Sequence, residues 1–429
     1  MCADVVGMEI FMNRTINVML PLLVVGLVAC GGAGDTEPAQ GPGSTHEQTT
    51  IRFSMWDTVD ESASFIQAFH AANPDIRVEI VSIPEDYSAV INTMVIGGTA
   101  PDVILAWEVD MPRFASNGQI IPLDNLVANS DLVDVHDFIP AVAALTELTE
   151  GLYGIPWVYA SHFLYFNVDM FDAAGIPHPT NHWTWEDMAE AARALTIREG
   201  NTTTQWGLTA IDFPGIWYSM IGQAGDSIID AELNLSLGEG LRRALSFQYD
   251  LTHVYQVSPQ PGGGVLDLFM AEQAAMTRQG NWFVAGYADV PFNWDVVPLP
   301  RDAWPHSSLH TGFFTISSQS QNQEAAWRFV EWMMSHPGQV ALSTFTANPS
   351  AIMSVAAEGH HFVPGINGPH NWEAFDYFRY GQFTYTLINA AVTGGLINQF
   401  DAVLLGINSI DEVLNIHVPA AQATLDQLN

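Results

Sequence analysis

Between residues 51 and 107 the chain switches back and forth between two hydrophobic periods, and this limits its fold more than any other feature. IRFSMWD (51–57) is a β-rich run. ESASFIQAFHAANPD (61–75) spaces Phe65, Ile66, Phe69 and Ala72 along one helix face and stops at Asn73-Pro74. IRVEIVSI (76–83) alternates as a strand does. SAVINTMVIGG (88–98) reads as a helix closed by Gly97-Gly98, and DVILAW (102–107) as a third strand. Strand, helix, strand, helix and strand at this spacing predict a βαβαβ unit with a parallel sheet. Open sheets of this kind bind ligands beyond the carboxyl ends of their strands. Trp56-Asp57 and Trp107-Glu108 stand at two such ends. An indole stacks on the apolar face of a pyranose, and a carboxylate accepts its hydroxyls.

Further along, GLYGIPWVYASHFLYFN (151–167) reads as two extended segments paired with each other. WTWEDMAEAARALT (183–196) reads as a helix with Thr184 and Asp187 as a capping pair, and VLDLFMAEQAAMTRQG (265–280) as a helix closed by Gly280. FNWDVVPLP (292–300) reads as a strand, EAAWRFVEWMMS (324–335) as a helix, and the last seventy residues as mostly helical. No internal repeat is visible. PGGG (261–264) lacks the Lys-Ser/Thr ending of a phosphate-binding loop and reads as a turn.

At the other end, INVMLPLLVVGLVA (16–29) is apolar but shorter than the roughly 20 residues that span a bilayer. It follows Arg14 and precedes Cys30, which predicts a secretory signal with Met12 as a better start than Met1. Leu27-Val28-Ala29-Cys30 resembles the bacterial lipobox, which implies a lipidated Cys30. Residues 30–49 then form the lipidated cysteine and a flexible tether rich in Gly, Thr, Pro and Gln. Cys2, the other cysteine, is lost with the signal, so no disulfide is expected. The roughly 380 remaining residues must hold themselves together by burial, as two domains.

Charge excludes several partners. There are 47 acidic residues against 12 basic ones, every one of them arginine, for a net charge of −35. Such a chain does not attract nucleic acid or an anionic membrane surface. An acidic, lysine-free surface suits high ionic strength. Catalytic signatures are absent: there is no G-x-S-x-G, no H-E-x-x-H and no cysteine nucleophile in the soluble part. A pair of carboxylates can be chosen anywhere among so many acids. His360 and His361 are adjacent, so their side chains diverge, and His178 and His182 sit in a Pro-rich loop; no metal site is expected. No cofactor is expected either. Of the 13 tryptophans, Trp183, Trp185, Trp327 and Trp332 read as packing. Trp56, Trp107, Trp157, Trp217, Trp282, Trp294 and Trp372 fall at element ends, as cleft residues would.

The blocks IRFSMWD…FIQAFHAANPDIRVEI, INTMVIGGTAPDVILAW, GQIIPLDNL, LYGIPW…LYFNVDMFDAAGI, HWTWEDMAEAARALT, FMAEQAAMTRQGNW and WDVVPLP…AAWRFVEWMMS resemble, in this order, the family 1 extracellular solute-binding proteins of carbohydrate ABC importers. The resemblance implies an α/β fold of the periplasmic-binding-protein type. Its two lobes are 50–158 plus 310–348 and 159–309 plus 349–429, with crossings near 157–163, 305–312 and 347–354. It implies a lipid-anchored monomer on the periplasmic or outer face of the cell envelope. That monomer binds a neutral sugar without catalysis, closes on it, and docks on ABC permease subunits. Ligand contacts are implied at Trp56, Asp57, Trp107, Glu108 and Trp282, with Gly312 and Phe313 where the chain re-enters the first lobe. Trp157, Trp217, Trp294 and Arg379 follow from local position. The arginine that the family often carries at the third crossing is missing from Asn348-Pro349-Ser350-Ala351-Ile352. A secreted glycan-modifying enzyme, or a metal or peptide receptor on the same fold, is the alternative.

Overall fold

The structure is a computed structural model and describes residues 48–428 apart from 147–148, 231–233, 263–267, 363–366 and 376–389. Two sheets organise it. The first has the order β2-β1-β3-β10-β4, formed by β1 (Thr49–Met55), β2 (Ile76–Ser82), β3 (Val103–Trp107), β4 (Ile155–Ala160) and β10 (His310–Ile316). The second has the order β8-β5-β9, formed by β5 (His162–Asn167), β8 (Met276–Gly280) and β9 (Trp294–Pro298). A small ribbon pairs β6 (Ile197–Glu199) with β7 (Thr202–Gln205).

The βαβαβ opening forms as its periodicity predicts. β1 runs parallel to both β2 and β3, and the helices Ser64–Ala72 and Tyr87–Ile96 make the connections. Side chains alternate across each strand, so both faces of the sheet need cover. Ile51, Phe53 and Met55 of β1 and Val103 and Leu105 of β3 join one core with Phe65, Ile66, Phe69 and the helix Gln323–Met333. Ile104 and Ala106 face the other way, into a core with Tyr87, Ile91 and Phe114. Ala72, expected on the buried stripe, is exposed because the helix ends there. β10 comes from far along the chain and lies antiparallel between β3 and β4.

In the second sheet, Leu164 and Phe166 of β5 pack against Met188, Ala192 and Leu195 of the helix Trp185–Leu195. Phe163 and Tyr165 face Tyr287, Trp294 and Phe375. The helix start is the predicted capping box, with Thr184 and Asp187 each satisfying the other's backbone N–H. A third core joins the helix Pro214–Gln223 to the carboxyl-terminal helices through Ile216, Trp217, Leu396 and Phe400. The molecule is therefore two α/β lobes, each with its own sheet and cores.

Two expectations are corrected. Residues 276–280 are strand β8, not the end of a helix, and all five are buried. A strand buried on both faces shows no period-two signal. The segments within 151–167 are indeed extended, but β4 and β5 do not pair. β4 belongs to the first sheet and β5 to the second. Ala160-Ser161-His162 offers no Gly, Pro or Asn for a hairpin turn, so the chain runs on from one lobe to the other.

Candidate functional site

The site is built where β1 and β3 end, where β4 passes into β5, and where β10 begins. Trp56 follows β1 and Trp107 ends β3. Their rings stack 3.8 Å apart at 8°, and each is half-buried. Gly312 lies opposite Trp107 on β10 and makes room for this pair, since a Cβ there would stand 2.4 Å from the Trp56 ring. Asp57 is exposed at its edge, but protein around its carboxyl raises the pKa above the ordinary carboxylate value.

Glu108 is buried next to this stack. Its Oε1 accepts from His310 Nδ1 at 3.1 Å, while Oε2 has no partner among the described residues. His310 Nε2 lies 3.2 Å from Ser308 Oγ, which is also 3.2 Å from His162 Nδ1 and donates to the Gly215 carbonyl. The chain of polar groups thus runs from the end of β3 in the first sheet to the start of β5 in the second. Burial, and the charge His310 would carry, hold the His162 pKa well below the usual imidazole value; its Nε2 is buried without a partner among the described residues. The passage strand is held nearby by Asn281, whose Oδ1 accepts from Ser161 N–H at 3.1 Å, and by Ser307 Oγ, 2.9 Å from Ser161 Oγ.

Trp282 stands just past β8 on the second-lobe side. Its half-buried ring meets His162 at 5.5 Å, Phe213 at 5.3 Å and His310 at 6.4 Å, all near perpendicular. The ring folds back over Gly280, where a Cβ would fall 2.1 Å from it, which gives the Gly-Asn-Trp sequence a physical reason. The arrangement thus offers indole and phenyl faces from both lobes with buried oxygen and nitrogen acceptors between them. A polyol with one apolar ring face fits such a surface.

The remaining expected residues fall elsewhere. Trp157 is buried in the first-lobe core against Phe53, Phe65 and Phe314, touching Trp56 only at an edge, 6.4 Å away. Phe313 is fully buried behind β3. Trp217 packs on Phe400, and Trp294 on Tyr165 and Tyr287, each inside a second-lobe core. Arg379 and Cys30 lie outside the described residues. His162, Phe213, Ser308 and His310 join the site without a motif of their own in the sequence. The available signal was the polar Ser-His at the break between two apolar strands. A hollow of about 300 Å³ near Thr49, Asp75, Asn322 and Arg328 sits at the opposite end of β1 and has no aromatic lining.

Residues 56–340 match the bacterial extracellular solute-binding protein family. The chain belongs to that family. This agrees with the resemblance read from its sequence blocks. Among curated relatives of this solute-binding chain, an arabinooligosaccharide-binding protein of Halalkalibacterium halodurans is 26% identical over 297 residues, covering 64% of each chain. A lipoprotein of Streptomyces antibioticus is 24% identical over 374 residues, covering 77% of this chain and 75% of its own. Among solved structures, an ABC substrate-binding protein of Listeria monocytogenes in complex with cycloalternan superposes with a TM-score of 0.80 at 22% identity, covering 88% of this chain and 99% of that one. The GacH receptor of Streptomyces glaucescens, solved unliganded and with acarbose, gives a TM-score of 0.75 at 22% identity over 88% and 99%. These structures share the two-lobed fold.

Proposed function

We propose that this protein is the receptor of an ABC importer. It takes a neutral mono- or oligosaccharide into the gap between its lobes and hands it to a membrane permease. The observation that carries the reading is that His310 bonds Glu108, next to the Trp56–Trp107 stack, and packs edge-on against Trp282 and Phe213 at the passage between the two sheets. In this reading Trp107 and Trp282 stack on sugar rings, and Asp57, Glu108 Oε2 and His162 Nε2 take hydroxyls. Gly312 and Phe313 form the wall behind, and Trp157 supports Trp56. Trp217 and Trp294 serve the cores, and Arg379 stays a position suggested by the family alone.

The proposed lobes are 50–158 plus 310–348 and 159–309 plus 349–429, except that the stretch up to Val355 packs with the first lobe. Support comes from the separate sheets on either side of Ser161, and from relatives whose names include oligosaccharide binding. The third passage extends past 354, since Ile352 and Val355 still pack in the first-lobe core while Phe362 and Phe375 pack in the second. The lobes close because the ligand gains contacts from both only in the closed state. A lipid on Cys30 keeps the monomer at the outer face of the membrane.

A thermal-unfolding screen against neutral mono- and oligosaccharides tests this, because a ligand that binds only the folded state raises the midpoint. Calorimetry on the best hit should show Trp282→Ala binding about tenfold or more weakly, with the apo midpoint little changed. An unchanged dissociation constant removes Trp282 from the site. Turnover of an oligosaccharide by the purified protein would move the reading to an enzyme.

A further inference from the structure

His336 is the first residue of the helix His336–Thr346, and Glu358 and His360 lie on the turn after the short helix Met353–Ala356. The fold brings the three together beside the first-lobe core, at the end of the third passage. His336 Nε2 is 2.9 and 3.0 Å from the two Glu358 oxygens, and His360 Nε2 is 2.6 Å from Glu358 Oε2. All three donor atoms lie within 4.8 Å of one another, and the cluster opens to solvent. We propose that His336, Glu358 and His360 form a binding site for a zinc-class divalent cation.

Two imidazole nitrogens and one carboxylate oxygen make a donor set of intermediate softness, suited to zinc, copper or nickel. Magnesium and calcium seek six or more oxygens and are poorly served by it. Zinc needs nitrogen and oxygen donors at about 2.0–2.2 Å in tetrahedral array, and three protein ligands leave one position for water. The present spacing is wider than that. Closing it needs only side-chain rotation, since His336 and Glu358 are exposed and His360 is half-exposed.

The backbone beneath is already set. Ser335 caps the helix by accepting from Gly338 N–H, and Gly359, at φ +74°, turns the chain between Glu358 and His360. Leu342 and Val355 anchor the two elements in one core. On binding, each imidazole loses the Nε2 proton that it donates to Glu358, carries its proton on Nδ1 and offers the freed Nε2 lone pair, while the Glu358 carboxylate exchanges those hydrogen bonds for a metal bond. Occupancy would tie the turn at 357–361 to the helix just before the chain leaves for the second lobe. The site does not depend on the sugar reading.

The full chain, purified without a histidine tag and stripped of metal, is titrated with zinc chloride by calorimetry and by thermal unfolding. The expected result is one zinc per chain and a rising unfolding midpoint, with no response to magnesium or calcium. Cobalt in place of zinc should give the visible absorption of a four-coordinate site. Glu358→Gln and His336→Ala should each weaken zinc binding about tenfold or more while leaving the metal-free midpoint near wild type. Should His336→Ala fail to fold, Glu358→Gln carries the test, because it keeps the shape and removes the charge. No zinc binding by the wild type overturns the proposal, as does equal affinity in the variants.

Discussion

His306 shows how one buried side chain ties stability to pH. Its ring is almost wholly buried beside Gly222, its Nε2 has no partner among the described residues, and burial lowers its pKa to about 4. The unfolded chain takes up a proton at this residue near pH 6.5, and the folded chain only near pH 4. The contribution is therefore complete above pH 6.5 and is lost as pH falls through that window, at about 1.4 kcal/mol per pH unit at most and about 3 kcal/mol in all. Urea unfolding of His306→Gln at several pH values should show a slope between pH 6.5 and 4 shallower by about one proton. An unchanged slope would mean that other groups set the acid limit. The residue scale is also where sequence reading reached least far. Trp56-Asp57 and Trp107-Glu108 were visible because strand ends can be read locally. Trp217 and Trp294 looked equivalent, yet both are core. A tryptophan beside a turn residue has the same local sequence whether its ring points into a gap or a core. His162 and His310 gain meaning only once two distant strands meet.

Elements were more legible, because their signals are short-range. The helix Trp185–Leu195 begins at Thr184 and has both halves of its capping box. Removing the hydroxyl in Thr184→Ala frees the Asp187 backbone N–H and takes away one of two reciprocal bonds. The loss should be about 1 kcal/mol. It should appear as a lower urea midpoint with an unchanged denaturant slope, since the compactness of the folded state stays the same. A changed slope would mean that the helix start also organises the lobe around it. β8 escaped notice for the opposite reason. Its place depends on pairing with β5, more than a hundred residues away, and Arg278 is buried mid-strand, where local reading expects an apolar side chain. Its guanidinium finds Gln248 Oε1 at 2.9 Å, and burial lowers its pKa to about 10.

At the scale of the whole molecule, the order of motif blocks along the chain made the two-lobed fold legible. No single pattern reveals that β10 completes the first sheet from beyond the second. The feature that belongs to this scale alone is charge. With 47 acids and 12 arginines, most carboxylates have no cation to pair with. The pairs that form are largely at the surface, such as Arg77–Glu61 at 3.1 Å and Arg328–Asp75 at 2.6 Å, where solvent screens them and each contributes little. Two opposing effects follow when salt is added. Screening weakens these few attractions, and it weakens the self-repulsion of a chain at −35. Folding draws the charges together, so repulsion is greater in the folded than in the unfolded state, and it outnumbers the attractions. The unfolding midpoint should therefore rise as sodium chloride increases from about 0.05 M to about 1 M, over which the screening length falls from more than 10 Å to about 3 Å. Potassium chloride should act alike if screening is the cause. A midpoint that falls with both salts would show that the arginine pairs outweigh the uncompensated acids.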